Sequence, residues 1–344
     1  MGGIVIILLS VLIALFAYFL APDYSPDANR QVVEIGRKNP GYRQQFLLLP
    51  DNRTLKRSNF LKRLVAGVPD RYKFIPIQSY RTTKDSMIAE KYADEGITQT
   101  IAYPLSLFPG NIEHYITTRR FMLGTDTFGR DILSRMIIGV RVSLGVGLIA
   151  VIISLTIGIF LGAIAGFYQG ATDKIVMWLM NVIWSIPTLL LVFAFTIALG
   201  KGFWQVFIAV GLTMWVNVAR LVRGQVLRER ELQYVEAARA MGFSGGRIMF
   251  KHILPNILGP VIVVAASNFA SAIIIEAGLS FLGIGVQQPT PSWGLMIREN
   301  YNFIITNKPM LALIPGFAIM LLVMAFYLLG NGLRDALNVK ARVT

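Results

Sequence analysis

The chain has 344 residues, 54% of them hydrophobic and only 15% charged, and its mean hydropathy is positive, a balance too apolar for an ordinary soluble domain. It has no cysteine, which excludes disulfides, thiolate metal sites and cysteine catalysis, and its two histidines, His114 and His252, are too few for a protein-built zinc site. The net charge of +14 comes without any nucleic-acid-binding motif, and Lys and Arg are needed at the ends of membrane helices in any case.

Charge-free runs at 2–22, 142–172, 175–200, 202–219, 253–275 and 309–333 each reach or approach the roughly 18–20 residues that cross a hydrocarbon core as a helix. The first, Ile4 to Leu20, lacks the basic start of a signal peptide, although Ala17 to Ala21 offers residues small enough for a peptidase; an uncleaved helix is expected. It begins almost at Met1, so any cytosolic leader is very short or lies beyond this sequence. A hydrophilic, proline-punctuated block follows, about 22–120, which predicts an extramembrane insertion. Within it Phe46-Leu47-Leu48-Leu49, Phe74-Ile75-Pro76-Ile77 and Ile97 to Tyr103 have the composition of strands, and both a small folded subdomain and a draped loop fit. Asp126, Arg130, Asp131 and Arg135 crowd the approach to the second span, where the plain expectation is a short interfacial helix with internal ion pairs. In the third span Pro187, shortly after Trp184, predicts a kink.

The stretch between the fourth and fifth spans carries Arg220, Arg223, Arg228, Arg230, Arg239, Arg247 and Lys251, and the C-terminal tail adds Arg334, Lys340 and Arg342. Basic residues in short loops stay on the cytosolic side, so both are expected in the cytosol. Six spans then put the N-terminus there too and residues 22–141 outside, with Arg130, Arg135 and Arg141 arguing the other way. Inside the basic loop, Leu232, Val235 and Ala238 to Met241 recur at three- and four-residue intervals, predicting a short amphipathic helix with Glu231, Glu236 and Arg239 toward water. Gly242 is placed to end it in the left-handed conformation, Ser244 to cap a second helix, and Pro255 to stop that one. Methyl side chains at Ala237 and Ala238 would admit another protein close to the helix backbone, with Glu236 free for a basic partner; a helix lying on the lipid surface fits equally.

Ala265, Ala266, Ser267, Ala270, Ser271 and Ala272 in the fifth span predict close helix packing, either with a second subunit or within the chain. Glu276 near its outer end is either a substrate contact or a hydrogen-bonded structural acid. The prolines and polar groups of Gln287 to Gly294 predict a loop, and Pro315 a start or bend in the sixth span.

Glu236-Ala237-Ala238, then Gly242, then Ile253-Leu254-Pro255 resemble the signature of the membrane subunits of ATP-binding-cassette importers. More narrowly the chain resembles the peptide/nickel-type permeases, through Gly124-Thr125-Asp126, Gly129-Arg130-Asp131-Ile132-Leu133-Ser134-Arg135, Arg141-Val142-Ser143-Leu144, Leu279-Ser280-Phe281-Leu282-Gly283, Pro291-Ser292-Trp293-Gly294 and Gly332 to Leu337, together covering roughly 120–340. It departs from that family at Trp178, Asn181, Asn331 and Asn338, where charged residues are common, which puts in doubt an ion pair beside the third span and one at the cytosolic exit.

The resemblance implies an all-α polytopic membrane protein with six transmembrane helices of the importer-permease type and an extramembrane insertion between the first and second. The expected division is 1–21 as first helix, 22–141 as extracytoplasmic insertion and interfacial segment, 142–333 as permease core with a cytosolic coupling loop at 223–256, and 334–344 as cytosolic tail. It further implies an inner-membrane location, a second permease subunit, two ATPase subunits and an extracytoplasmic solute-binding protein as partners. No Gly-x-x-x-x-Gly-Lys-Ser/Thr occurs, so no cofactor is expected in this chain, and ATP and magnesium belong to the partners. Glu236, Ala237, Ala238, Arg239, Gly242, Ile253, Leu254 and Pro255 are the expected ATPase-coupling residues; Glu276, Trp184 and Asn217 are candidates for the translocation pathway, and Asp126, Arg130 and Asp131 for a binding-protein contact. The family favours di- and oligopeptides as cargo, with nickel complexes or another small solute as the alternative. A polytopic membrane enzyme is the rival of another class, since Gly242-Phe243-Ser244-Gly245-Gly246 matches a hydrolase nucleophile elbow; that elbow needs a strand before the serine, where a helix is predicted, and an acid between Ser244 and His252, where there is none. An ion-coupled transporter would carry several intramembrane acids, whereas Glu276 stands nearly alone.

Overall fold

The computed structural model describes residues 2–51, 59–200, 202–306 and 308–340, so Arg342 of the predicted tail lies outside the described residues. Helix α1 (Gly2–Leu15) and the short α2 (Ala17–Leu20) precede strand β1 (Tyr42–Pro50), helix α3 (Phe60–Ala66) and strands β2 (Tyr72–Thr82), β3 (Ser86–Asp94), β4 (Ile97–Pro104) and β5 (Ile116–Phe121). Then come α4 (Ile132–Tyr168), α5 (Gly170–Trp184), α6 (Thr188–Leu199), α7 (Phe203–Glu229), α8 (Gln233–Ala240), α9 (Gly245–Ile248), α10 (Leu254–Leu282), α11 (Trp293–Asn300) and α12 (Met310–Lys340). By contacts the chain falls into two units, residues 1–11, 142–287 and 316–344 in one, and 12–141 with 288–315 in the other.

Helices α4 and α7, the stretch Gly245–Leu282 and Met310–Leu337 are long and apolar enough to cross a membrane. Of the other two expected spans, α5 and α6 reach spanning length and apolarity together, as a pair broken at the kink that Pro187 predicts, and α1 is a shorter apolar helix. Helices α5 and α6 meet at a 94° bend, because Pro187 has no N–H for the ladder and disfavours helical backbone at Ile186; Pro187 takes φ −53°, ψ 126° and α6 starts afresh behind it. Helix α1 has 14 residues, and the ladder continues beyond it, Phe16 N donating to Leu12 O at 3.1 Å and Leu20 N to Phe16 O at 3.0 Å, so that α2 follows directly.

Helices α4 and α7 lie unusually close because glycine recurs every fourth residue on α4. A Cβ at Gly158, Gly162 or Gly166 would come within 2.8 Å, 2.5 Å and 2.8 Å of the carbonyl oxygens of Trp215, Ala219 and Arg223 respectively, one turn apart on α7. This is the small-residue packing that membrane helices use in place of a hydrophobic driving force. Around the seam Ala163, Val218, Val222 and Val226 join a buried cluster with Val235, Ala238, Ile248, Ile253, Ile257 and Val261. In α10, Ala266, Ala270 and Ala272 are buried inside the chain, a Cβ on Gly330 of α12 would meet the Ala266 Cβ at 3.5 Å, and Ala265, Ser267 and Ser271 are half-buried.

The second unit corrects the all-α expectation. Its strands form one antiparallel sheet in the order β4-β3-β2-β1-β5, and the three β-prone runs fall on β1, β2 and β4. Leu47, Ile75, Ile77, Met87 and Ala89 make its buried face, with Phe108 packed against them. The loop predicted through Gly294 ends sooner: Ser292 caps α11 by accepting from Leu295 N at 3.1 Å, so Trp293 and Gly294 open a helix. Gly139 leaves the room that the Trp293 ring occupies, and the indole Nε1 donates to Met136 O at 3.1 Å.

Candidate coupling site

The stretch between α7 and α10 folds as the sequence suggests up to Gly242 and differently beyond it. Helix α8 buries Val235 and Ala238 in the α4–α7 cluster and exposes Glu236, Ala237, Arg239 and Ala240. The two alanines therefore divide: Ala237 faces outward, whereas Ala238, expected to meet a partner, is held by the chain's own core at 1% exposure. Gly242, at φ +76°, closes the helix with the Schellman pair, its N–H donating to Arg239 O at 2.9 Å and the Phe243 N–H to Ala238 O at 3.1 Å.

Ser244 begins α9 without capping it through its hydroxyl, and its backbone oxygen accepts from Ile248 N at 3.0 Å. A helix, α8, precedes this serine where a nucleophile elbow needs a strand. Pro255 does not stop the second helix. The turn Met249–Ile253 is π-helical, with Leu254 N reaching back to Met249 O, and it runs directly into α10. A π turn shifts the bonding by one residue, which accommodates a proline that has no N–H and whose ring would strike the carbonyl four residues earlier in a regular helix. Ile253 is fully buried, Leu254 half-buried and Pro255 exposed.

Residues outside the signature fix the loop to the bundle. Arg230 donates to Phe167 O at 2.7 Å, and the Tyr234 hydroxyl donates to Glu229 Oε2 at 2.7 Å while accepting from Asn256 Nδ2 at 3.2 Å. Burial, and then the Glu229 carboxylate, push the Tyr234 phenol above its ordinary pKa. The Phe243 ring stacks on His252 at 5.9 Å and carries the Arg247 guanidinium 4.1 Å from its centre. Arg223 of α7 grips Asp173 of α5 through Nε at 2.5 Å and a terminal nitrogen at 2.7 Å, so an ion pair does stand beside the third span although Asn181 cannot supply it. Sequence reasoning missed these anchors, and only the proximity of Tyr234 and Asn256 to the signature hinted at them.

The candidate pathway residues separate. Trp184 is exposed with the Arg220 guanidinium 3.6 Å from its ring centre, and Asn217 is exposed one turn before Arg220 on α7. Glu276 is buried and accepts from Ser280 Oγ at 2.6 Å. In the second unit, Asp126, Arg130 and Asp131 lie in a buried turn, not on an interfacial helix. Asp126 accepts from Phe128 N, Arg130 N and Arg130 Nε at 2.9, 3.0 and 2.6 Å, and Arg130 and Arg135 both reach Glu299 Oε2, at 2.7 and 3.2 Å. Arg130 and Arg135 are fully buried, so these side chains present no surface to a partner.

Residues 158–343 match the sequence model of a family described as "Binding-protein-dependent transport system inner membrane component". Similar proteins include the glutathione transport system permease protein GsiD of Pectobacterium atrosepticum, 40% identical over 244 residues covering 69% of this chain and 81% of that one. The di/tripeptide transport system permease protein DppC of Pseudomonas aeruginosa is 44% identical over 65% of this chain and 73% of its own, and the dipeptide permease DppC of Alkalihalophilus pseudofirmus is 43% identical over 64% and 72%. Among solved structures, a chain of the MetNI methionine transporter in an inward-facing conformation is similar at a TM-score of 0.50 and 18% identity, over 59% of this chain and 97% of that one, a likeness of fold alone.

Proposed function

Since the chain belongs to the family of binding-protein-dependent transport system inner membrane components, we propose that it is the permease subunit of an ATP-driven importer for di- and oligopeptides, the cargo named for its relatives. The observation that carries the coupling role is the split of α8 into a face buried at Val235 and Ala238 and an exposed face at Glu236, Ala237 and Arg239. A short helix fastened along one side and bare along the other suits the groove of a partner protein.

The partner is an ATPase subunit that holds ATP and magnesium, and two such subunits serve this chain and a second permease. Closure of the ATPases pushes α8 and α9. The push enters α4 through the Arg230 anchor, α7 through the Tyr234 anchor and α10 through the π turn, and rigid-body tilting of these spans exposes the pathway alternately to each side. Trp184, Arg220 and Asn217 line that pathway, the coupling loop and C-terminal tail face the cytosol, and residues 22–141 meet an extracytoplasmic solute-binding protein.

Co-purification from membranes tests the coupling role. Glu236→Arg and Gly242→Pro should reach the membrane but leave the ATPase behind; normal recovery of the ATPase with both would overturn it. Uptake of labelled dipeptides, tripeptides, glutathione and nickel chelates, each with the cognate binding protein, tests the cargo: nickel uptake without peptide uptake would replace the peptide reading.

A further inference from the structure

In the unit of residues 12–141 and 288–315, helix α3 leaves bare what a soluble surface would hide. Phe60 and Val65 are 66% and 61% exposed, with Lys62 and Arg63 exposed beside them. A helix of seven residues is too short to hold itself in water, and its height in the molecule accounts for its surface. The Phe60 ring packs on Phe19 of α2, in the last turn of the apolar run 2–22, at 5.7 Å between ring centres. Toward its other end, Leu64 O and Val65 O accept from Arg141 at 3.3 and 3.1 Å. Arg141 immediately precedes the charge-free run 142–172, and its guanidinium lies 5.3 Å from the centre of the Tyr18 ring. Two contacts thus pin α3 at the level where two apolar runs give way to polar chain. Tyr18, Phe19 and Tyr24 cluster there, as aromatic residues do where hydrocarbon meets headgroups. On the hydrocarbon side of that level, Leu12, Leu15, Phe16 and Leu20 are exposed.

A groove opens at the same height. Its inner part, about 180 Å³, is bounded by Tyr18, Phe19, Tyr24 and Gly67, and Arg63 is the one charged side chain among the described residues lining it. Gly67, at φ +71°, ends α3 by donating to Arg63 O at 3.2 Å, and a Cβ there would come within 2.7 Å of both the Tyr18 ring and Tyr24 O. The outer part, about 400 Å³, shares Tyr24, Arg63 and Val68 with the inner and adds Asp70 and Arg71. Asp70 is already engaged, both of its oxygens accepting from Arg30, from Nε at 2.6 Å and in a second, shorter contact. Arg63 and Arg71 have no carboxylate within ion-pair distance among the described residues, and both side chains are exposed, so an anion can reach them.

The two arginines alone would suit any anion, and the bare rings alone any apolar surface. A phospholipid of net negative charge carries both features at this height, whereas a zwitterionic headgroup would bring a cation of its own to the arginines. We propose that the groove holds the headgroup of an anionic phospholipid, its phosphate accepting from Arg63 with Arg71 beside it, and its acyl chains lying against Phe19 and Phe60. Helix α3 then seats the inserted unit on the membrane. The site rests on the proposed topology, residues 1–21 as a span and 22–141 outside, which puts the lipid in the outer leaflet; it is independent of cargo and of ATPase coupling.

Because the chain has no cysteine, single nitroxide labels can be placed on the full chain in nanodiscs of phosphatidylcholine and phosphatidylglycerol. Relaxation by lipid-dissolved oxygen should put a label at Val65→Cys between one at Leu12→Cys, inside the bilayer, and one at Ser79→Cys, exposed on β2. In native mass spectrometry the chain should retain phosphatidylglycerol in preference to phosphatidylcholine. Arg63→Gln should cut that retention about fivefold and Arg71→Gln added to it further, the factor for roughly 1 kcal/mol per basic residue at an anionic surface. A Val65 label as open to water as Ser79 would overturn the site and leave the groove to a soluble partner; the span would stand if Leu12 stayed in lipid, and a Leu12 label in water would overturn both. Equal retention of the two lipids or unchanged retention in the double variant would also overturn it. So would displacement of the lipid by soluble glycerol phosphate, which would make this a site for free phosphate.

Discussion

Two short segments of this chain look alike in sequence and do opposite things in the fold. Asp126 to Arg135 and Glu231 to Gly242 both mix Asp or Glu with Arg among small residues. In the first, the charges turn inward. Asp126, Arg130, Arg135 and Glu299 neutralise one another at side-chain exposures of 9% or less. In the second they turn outward, and among the described residues Glu236 and Arg239 make no ion pair. The difference teaches that a charged motif announces a structural or an interaction role only once its partners are known. Glu299 lies 169 residues from Arg130, beyond the reach of any local pattern.

The most severe test of the contrast is Arg130→Ala, which takes from two buried carboxylates the nearer of the two arginines they share and leaves them only the longer contacts to Arg135. Breaking a buried pair from one side costs about 3–5 kcal/mol, and we expect loss of folded protein, measured by detergent-solubilised accumulation and thermal melting. Next comes Gly162→Ala in the α4–α7 seam, where the new methyl meets Ala219 O at 2.5 Å. Overpacking of this kind costs about 1–3 kcal/mol, so the melting temperature should fall while the inward charge cluster stays intact. Gly242→Ala forces an L side chain into the left-handed region at a cost of about 1–2 kcal/mol, and an ATPase pull-down should show weakened binding of the partner. Smallest in stability is Glu236→Arg. An exposed charge in the first turn of α8 is worth about 0.3–1 kcal/mol, so melting should barely move while ATPase co-purification is lost. If Glu236→Arg destabilised the chain as much as Arg130→Ala, the division between inward and outward charges would not hold.

Much of the architecture was legible from local pattern. Four of the six charge-free runs became helices of spanning length, Pro187 broke the third, and the β-prone runs at Phe46, Phe74 and Ile97 sit in strands. In the stretch between α7 and α10, the spacing of Leu232, Val235 and Ala238 and the position of Gly242 sufficed to predict a helix and its stop. What escaped depended on contacts across the chain or on non-standard backbone. Periodicity places Ala237 and Ala238 side by side on one helix but does not say which of them the α4–α7 cluster absorbs. Proline ordinarily ends a helix, so Pro255 read as a stop, and only the π turn ahead of it lets α10 continue. The charge cluster around Arg130 was expected on a surface because its neutralising partner on α11 is remote in sequence.

The π turn at Met249–Ile253 also acts as a phase shifter. One extra residue in a helical turn rotates everything after it by about 100° relative to an unbroken helix, so the side of α9 that meets the outside world and the side of α10 that lines the bundle belong to different registers of one continuous rod. Deleting a single residue from this turn should leave the helix continuous while turning the exposed face of α9 by about 100° relative to α10, so a partner seated on α9 as proposed would lose its register with the bundle.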